Sequence, residues 1–502
     1  MIFFQLRESY CRFWSRNPAF FIGLSIFLGI ALAFHPHPLY GILFFLLSFT
    51  AKSKRTFILA LLCATGAFFY ASYRHPKIIL PQEKMKGTGI FHIDQIKNYA
   101  SPFAKSYLYK GTLKKFEANG TTFEEIPCNI YLPLFGKRPL ANTDYKIKGT
   151  LCQKGDFDFV LKPEKKIPWI PVESFFNLSE WRFSAKRAAS HYLKKHISDP
   201  HAHTLLTALA TGEINERIMS MEFGKVGLQH ILAISGFHFA IAALFLNFIF
   251  RLLFPDKLSA LLLILSLSCY YLFLGNAPSI QRAYLAIVLF AAGKQFSLKI
   301  SGINALGVGL ILELLLSPFC ATQLSFQLTF LCTFAILLFY PLVNRALMPL
   351  FPQRTYSQMR SMSLLDKHGA ILSSLLRQSL AINFAVHLIS LPVLLYLFHK
   401  FPLLSLSYNL FFPAFIFISM VLLYIALLFA PLIPFLSYAI HSLNNTWTST
   451  YLHLTTNPPA FLDFSIRAQN LSLPFVISFL GAVFFLGILL YQKEQSLEKK
   501  EV

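Results

Sequence analysis

The chain has 502 residues, of which 55% are hydrophobic and 14% charged, with a formal net charge of +22 and a mean hydropathy of +0.54. A soluble domain has no use for so many apolar runs, so this composition describes a polytopic α-helical membrane protein. The positive excess suits cytoplasmic loops and also an anionic partner, nucleic acid or anionic lipid, and composition does not separate the two.

Residues 1–73 read as a membrane anchor of two or three helices. An apolar run over 19–34 follows Arg7, Arg12 and Arg16, and no small-residue cleavage site follows it, which excludes a signal peptide. His35-Pro-His-Pro38 forms a tight hairpin to a short second run over 39–50, a tilted or re-entrant segment. After Lys52, Lys54 and Arg55 comes a third run over 56–73. The positive-inside rule then holds the N-terminus and the 52–55 loop in the cytoplasm and puts everything after Arg74 outside, up to about residue 200.

Over 74–170 the apolar runs give way to short alternating stretches between Gly, Pro and Asn turns, which predicts a small all-β extracytoplasmic domain of oligonucleotide-binding (OB-like) type. Lys110, Lys114, Lys115, Lys137, Arg138, Lys146 and Lys148 interleave with Tyr107, Tyr109, Phe116, Tyr131 and Tyr145. Basic groups beside aromatic platforms suit single-stranded nucleic acid, and Lys110, Lys114, Lys115, Lys146 and Lys148 are the candidate DNA contacts. The competing reading makes the lysines a solvated face and the aromatics a core. Five of the seven cysteines lie in or beside apolar segments. Cys128 and Cys152 lie in the hydrophilic region and are a candidate disulfide if it is outside the cytoplasm.

Residues 171–226 form an amphipathic, interfacial linker. A helix over 179–197, capped by Ser179, carries Arg182, Lys186, Arg187, Lys194 and Lys195, and anionic lipid is the favoured partner for its charge. His201 and His203 form an HxH pair with no further ligands, so no metal site is assigned.

From 227 to 491 the chain is membrane-embedded, with a charged tail over 492–502, and roughly ten to eleven membrane segments are expected in all. The first segment is unusual: Gln229, His230, Ser235, Gly236 and His238 sit in one greasy run, where polarity is costly and a helix can break only under cover. As one helix it would stack His230 and His238 on one face, two turns apart. A second dense site, 275–282, opens a helix with Asn276 and Ser279 and places Arg282 one turn in. Gln323 and Gln327 share a face at i, i+4, beside Ser325, and Glu313 is a lone intramembrane acid that can pair with Arg282. His230, Ser235, Gly236, His238, Asn276, Ser279, Arg282, Gln323 and Gln327 are the candidate channel-lining residues. There is no phosphate loop, no GxSxG elbow, no HExxH and no HxHxDH cluster, so no catalytic residue, metal or cofactor is assigned and the chain is read as a non-enzyme.

Gly227-Leu-Gln-His-Ile-Leu-Ala-Ile-Ser-Gly-Phe-His238 resembles the HLLAISGLH signature of ComEC-type competence proteins, inner-membrane DNA-uptake channels. In order follow Asn276-Ala-Pro-Ser-Ile-Gln-Arg282 for the family's SPS-x-x-R, Asn304-Ala-Leu for its N-A-L and Gln323-Leu-Ser-Phe-Gln-Leu328 for its FQLSF element. Leu391-Pro392 and Asn409 complete the series. The resemblance implies a channel for uptake of single-stranded DNA in natural transformation. Its implied partners are that DNA strand, a cytoplasmic ATPase or helicase, recombination proteins, a periplasmic or surface DNA receptor and the lipid bilayer, with homo-oligomerisation left open. Many members also carry a C-terminal metallo-β-lactamase-like domain. The chain ends at Val502 without one, so nuclease activity is not implied here. A membrane transporter or enzyme acting on another anion is the alternative.

Overall fold

The computed structural model describes residues 2–50, 53–75, 80–100, 105–118, 120–133, 138–155, 157–164, 167–214, 216–232, 234, 236–275, 277–295, 301–459, 464–468 and 471–501. The N-terminal arm holds α1 (Ile2–Arg16), α2 (Pro18–Phe34), α3 (Pro38–Phe49) and α4 (Lys54–Arg74). Between α1 and α2 the axis bends by 97°. Pro18 opens α2 without an N–H, and Asn17 turns back to donate to the Phe13 carbonyl at 3.0 Å, closing α1. Helix α4 offers α2 a stripe of small buried residues, Ala60, Ala64, Ala67 and Ala71. The two helices meet so closely at Gly29 that a Cβ there would lie 2.1 Å from the Ala64 carbonyl oxygen, the small-residue packing that membrane helices use.

The β domain is built from β1 (Lys84–Ala100), β2 (Lys105–Ala118), β3 (Thr121–Pro133), β4 (Thr143–Gly155), β5 (Asp158–Pro163) and β6 (Ile170–Ser174). Strand order is β1-β2-β3-β5-β4, closed by β4 pairing back onto β1, with β6 on β4. The β3–β5 pairing is parallel and the rest antiparallel. This closed five-strand path is compatible with the expected OB-like barrel. Alternation selects its core: Phe91, Tyr109, Leu113, Phe116, Ile130, Ile147 and Phe159 point inward and are essentially inaccessible.

Two expectations are corrected here. Tyr109 and Phe116 are core residues, and Tyr107 and Tyr145 pack against that core. Of these five aromatics only Tyr131 is exposed, so they form no row of stacking platforms. The Cys128–Cys152 disulfide is not formed, and both thiols are free and buried. Cys128 pairs with Phe159 and Cys152 with Val160, on opposite sides of β5. Two strand spacings separate them by roughly 9.5 Å, beyond the ~7 Å that a disulfide spans.

Helix α5 (Leu178–His196) closes one end of the barrel. Its cap is Asn177, which accepts from the Ser179 N–H at 2.8 Å and donates to the Ile93 and Ala141 carbonyls. Ser179, the expected cap, instead donates its hydroxyl to the Asp94 carbonyl. Beyond it come α6 (Pro200–Thr211), α7 (Arg217–Lys225), α8 (Gln229–Leu232), α9 (Gly236–Leu253), α10 (Asp256–Leu274), α11 (Pro278–Gln295) and α12 (Gly302–Leu316). A 3₁₀ turn (Pro318–Thr322) leads to α13 (Leu324–Ala346), α14 (Tyr356–Ser361), α15 (Leu364–Phe398), β7 (Lys400–Pro402), α16 (Leu404–Phe429), α17 (Pro434–Thr456), β8 (Ser465–Arg467) and α18 (Leu473–Glu501).

Among the described residues seven helices are long and apolar enough to cross a membrane, or eight with the bent α1–α2 pair. Three shorter apolar helices, Pro38–Phe49, Ser279–Gly293 and Gly302–Leu316, bring the chain to the expected range, and it is a multi-pass membrane protein. The charged stretch 364–378 is helical and makes α15 35 residues long. The barrel and α1 lie at opposite ends of the bundle. Phe157 of the barrel stacks edge-on against Phe34, at the far end of α2 from Asn17. Arg16 of α1 bonds Gln495 of α18, and Arg345 at the end of α13 pairs with Glu494 at 2.6 Å. The C-terminal turns of α18 therefore share the end of the bundle that holds α1.

Candidate functional site at the broken helix

The polar segment is interrupted, as the sequence allowed at Gly236, and forms two helices. Helix α8 stops at Leu232 and α9 starts at Gly236, so His230 and His238 do not stack two turns apart on a common face. Ala233 and Ser235 lie outside the described residues, as does Asn276. Gly227, before the break, has φ +74°, and a Cβ there would lie 2.5 Å from the Ser405 Cβ, so the segment is pressed against the start of α16. His238 is 1% exposed inside the bundle. His230 is accessible to water although protein surrounds it on most sides, and it interacts electrostatically with His238 and His387.

A break inside an apolar bundle leaves backbone carbonyls without helical partners, and each needs a donor. Ser279, on the first turn of α11, donates its hydroxyl to the Ile234 carbonyl at 2.8 Å. Its neighbour one turn on, Arg282, does not reach for an interface. It donates through Nη1 to the Thr329 carbonyl at 3.2 Å and to the Thr333 hydroxyl, both on α13. A Cβ on Gly236 would stand 3.3 Å from Arg282 Nη2, which favours a small residue where α9 begins. Glu313 of α12 is 1% exposed and interacts electrostatically with Arg282, yet no ion pair forms within 4.0 Å. Arg282 Nε and Glu313 Oε1 are both buried without a hydrogen-bond partner among the described residues. The structure thus joins Gly236, Ser279, Arg282, Glu313, Thr329 and Thr333 from four helices into one polar seam at the break.

The glutamines stand apart from it. Gln327 is two residues from Thr329, about 200° around the helix, and its amide donates to the Ala321 carbonyl at 2.8 Å, bracing the 3₁₀ turn. Gln323 is exposed at the N-cap of α13. Asn304 of the N-A-L element also braces the fold: its side chain donates to the Arg16 carbonyl at 2.8 Å and accepts from the Ala19 N–H at 3.2 Å, fixing the α1–α2 bend. His203 has its ring nitrogen 3.2 Å from the Ser190 carbonyl and 3.3 Å from the Thr207 hydroxyl. Among the described residues no group of His, Cys, Asp and Glu is arranged to hold a metal.

On the barrel, Lys114 pairs with Asp144 at 2.6 Å and Lys115 with Glu117 at 2.6 Å. Arg138 pairs with Glu180 and lies 4.4 Å over the Phe183 ring, tying barrel to α5. Lys137 lies outside the described residues. Lys110, Lys146 and Lys148 are exposed and have no ion pair among the described residues.

Sequence reasoning passed over two groups. The first is Thr329 and Thr333, which extend Ser325 as an i, i+4 hydroxyl stripe along α13. The second is the junction of barrel and bundle. Lys186, expected on a lipid-facing surface, is 7% exposed and donates to the Leu274 carbonyl at 2.9 Å, with Glu213 at 3.4 Å. Arg182 donates to the Leu272 carbonyl at 2.8 Å. These cations cap the C-terminal carbonyls of α10, where the helix dipole favours positive charge, just before the turn into the helix that carries Ser279 and Arg282. Asn98 of β1 reaches Glu213 from the barrel side at 3.5 Å. Beside them Lys97 has its affinity for a proton lowered, first by burial and then by the Lys110 and Lys186 charges, with Glu213 opposing.

The family profile described as competence protein matches residues 209–494, from the end of α6 to the last turns of α18. ComE operon protein 3 of Bacillus subtilis (strain 168) is 27% identical over 228 residues, which span 43% of this chain and 26% of that relative. No solved structure matches. With more than half of its length matched by that family, including the broken helix and all four helices of the polar seam, the chain belongs to the competence proteins, as a member of ComEC type.

Proposed function

We propose that the chain is a conduit for single-stranded DNA across a bacterial inner membrane during natural transformation. In this reading the barrel lies outside, the N-terminus lies in the cytoplasm, and the polar seam borders the path. The observation that carries it is the interruption between α8, which ends at Leu232, and α9, which begins at Gly236, inside an apolar bundle and beside Ser279, Arg282, Thr329 and Thr333. Backbone breaks at membrane depth persist where protein or a water-filled path satisfies them, and Arg282 with an unbonded Nε supplies a cation for a passing phosphate. Lys97, Lys110, Lys146 and Lys148 give the barrel cations for the incoming backbone, by charge and without a stacking row. In this reading the pull on the strand comes from a cytoplasmic ATPase and the recombination proteins that coat it, and a surface receptor delivers it.

The direct test is uptake of fluorescent DNA by cells from which the gene is deleted. Loss of internal label, restored by the intact gene, is expected, and undiminished uptake overturns the reading. A transporter for a small anion on the same scaffold would instead leave DNA uptake intact while abolishing uptake of that anion.

A further inference from the structure

At the end of the bundle away from the barrel, a cleft of about 320 Å³ lies between α1 and the last turns of α18. Arg12 and Arg16 line it from α1, and Lys493 from α18. Ser9 and Ser496 add hydroxyls, and Leu489 is its apolar edge. Among the described residues no carboxylate lines it. Glu494, next to Lys493, is engaged by Arg345 at 2.6 Å, and Glu8 meets Arg12 only as an exposed i, i+4 contact at 3.6 Å. Arg16 is held by its bond to the Gln495 side-chain oxygen at 2.8 Å, and Lys493 has no ion pair among the described residues. Gln492 also borders the cleft, and its Nε2 is buried with no acceptor among the described residues. Three cations and an unspent amide donor converge on a space with no carboxylate in its lining among the described residues.

The surroundings say what kind of anion fits. Helix α1 is turned 97° from α2, and Phe13 and Trp14 anchor its apolar face in the bundle, leaving Arg12 and Arg16 outward. Helix α18 is largely uncovered by protein and apolar up to Leu490, then becomes charged from Lys493 onward. The cleft therefore sits where an apolar span ends, the level of lipid phosphates, with an apolar edge for acyl chains. Guanidinium forks match phosphate oxygens in geometry as well as charge.

We propose that this cleft is a phosphate-binding site, filled by the phosphodiester headgroup of an anionic phospholipid or by a soluble phosphate held on the same cations. The proposal is independent of whether a DNA strand crosses the bundle. Purified full-length protein in neutral detergent is titrated with phosphatidylglycerol, phosphatidylcholine or inorganic phosphate, with bound lipid read by native mass spectrometry and either ligand read by the shift in thermal unfolding midpoint. Binding of phosphatidylglycerol over phosphatidylcholine, weakened on the order of 100-fold in Arg12→Gln/Arg16→Gln/Lys493→Gln and unchanged in Arg354→Gln/Arg360→Gln, an exposed pair between α13 and α15 outside the cleft lining, establishes the lipid as occupant. A shift with inorganic phosphate alone, lost in the same triple variant, establishes a soluble phosphate. Equal binding of both ligands by wild type and triple variant, or equal loss in the Arg354/Arg360 control, overturns the site. Should the triple variant fail to fold, Lys493→Gln alone carries the test, with a loss of about fivefold expected and none overturning.

Discussion

Arg282 shows how a cation is held inside an apolar bundle, and in the proposed conduit the same residue serves passage. A charged group at membrane depth persists when its donors are satisfied, and this one spends Nη1 on α13 while keeping Nε unbonded near a buried carboxylate. Removing it deprives the Thr329–Thr333 ledge of its donor and leaves Glu313 as an uncompensated buried acid. Arg282→Ala is expected to cut DNA uptake at least tenfold while the protein still inserts at normal levels. Arg282→Lys is expected to fail nearly as badly, because a single ammonium does not reproduce the planar fork. Uptake assays beside membrane immunoblots read both, and full activity of the lysine variant would show that charge alone suffices. The motif residues of this site were legible one by one, since polar types in greasy runs stand out. Their partners were less so: Thr329 and Thr333 look unremarkable in sequence because a hydroxyl is cheap in a membrane helix, and only the fold brings Arg282 to them.

At the scale of elements, α5 is the piece whose role changed most. Its charges suggested a helix lying on lipid, and Arg187, Lys194 and Lys195 do remain exposed. Arg182 and Lys186 instead turn inward to cap α10, and its N-terminal turn is bound to the barrel by Glu180, which accepts from the Ala141 N–H at 2.9 Å and pairs with Arg138. Burial works against the Glu180 carboxylate, but the Arg138 hydrogen bonds, the Ala141 N–H and the Arg138 charge outweigh it and hold its proton affinity below the ordinary carboxylate range. A lowered carboxylate stabilises the fold fully above its unfolded value, near pH 4.3, and that contribution is lost as pH falls through the still lower folded value. The tie is therefore firm at neutral pH and releases only in strong acid. Glu180→Gln is expected to cost about 1.5–3 kcal/mol and to flatten this acid dependence, measured by hydrogen exchange in the first turn of α5 across pH. Unchanged exchange at neutral pH would count against the tie. Periodicity located α5 itself, because its apolar spacing is local information. Which of its cations go inside depends on where α10 ends, and that is not local.

For the whole molecule, exposed charge and buried polarity are separate. The barrel supplies exposed lysines at one end, and the bundle supplies a narrow polar seam. If Lys110, Lys146 and Lys148 each meet a phosphate, changing all three to Gln should lower the salt-dependence slope of single-stranded DNA binding by roughly 2. Filter-binding titrations of the full chain across salt would test this, and an unchanged slope would move the contacts elsewhere. The membrane class, the β insertion and the broken segment were all legible, because each rests on composition or period. Barrel closure was not, since the pairing of β1 with β4 joins strands about sixty residues apart in sequence. The short apolar helices carry one more consequence. With 15 residues α12 is about 22 Å long, and α3 with 12 is about 18 Å, against a hydrocarbon slab of about 30 Å. A bilayer meeting short walls pinches toward them. On that flank a polyanion would cross a thinned insulator, and the electrostatic toll on each phosphate falls with every ångström of hydrocarbon removed.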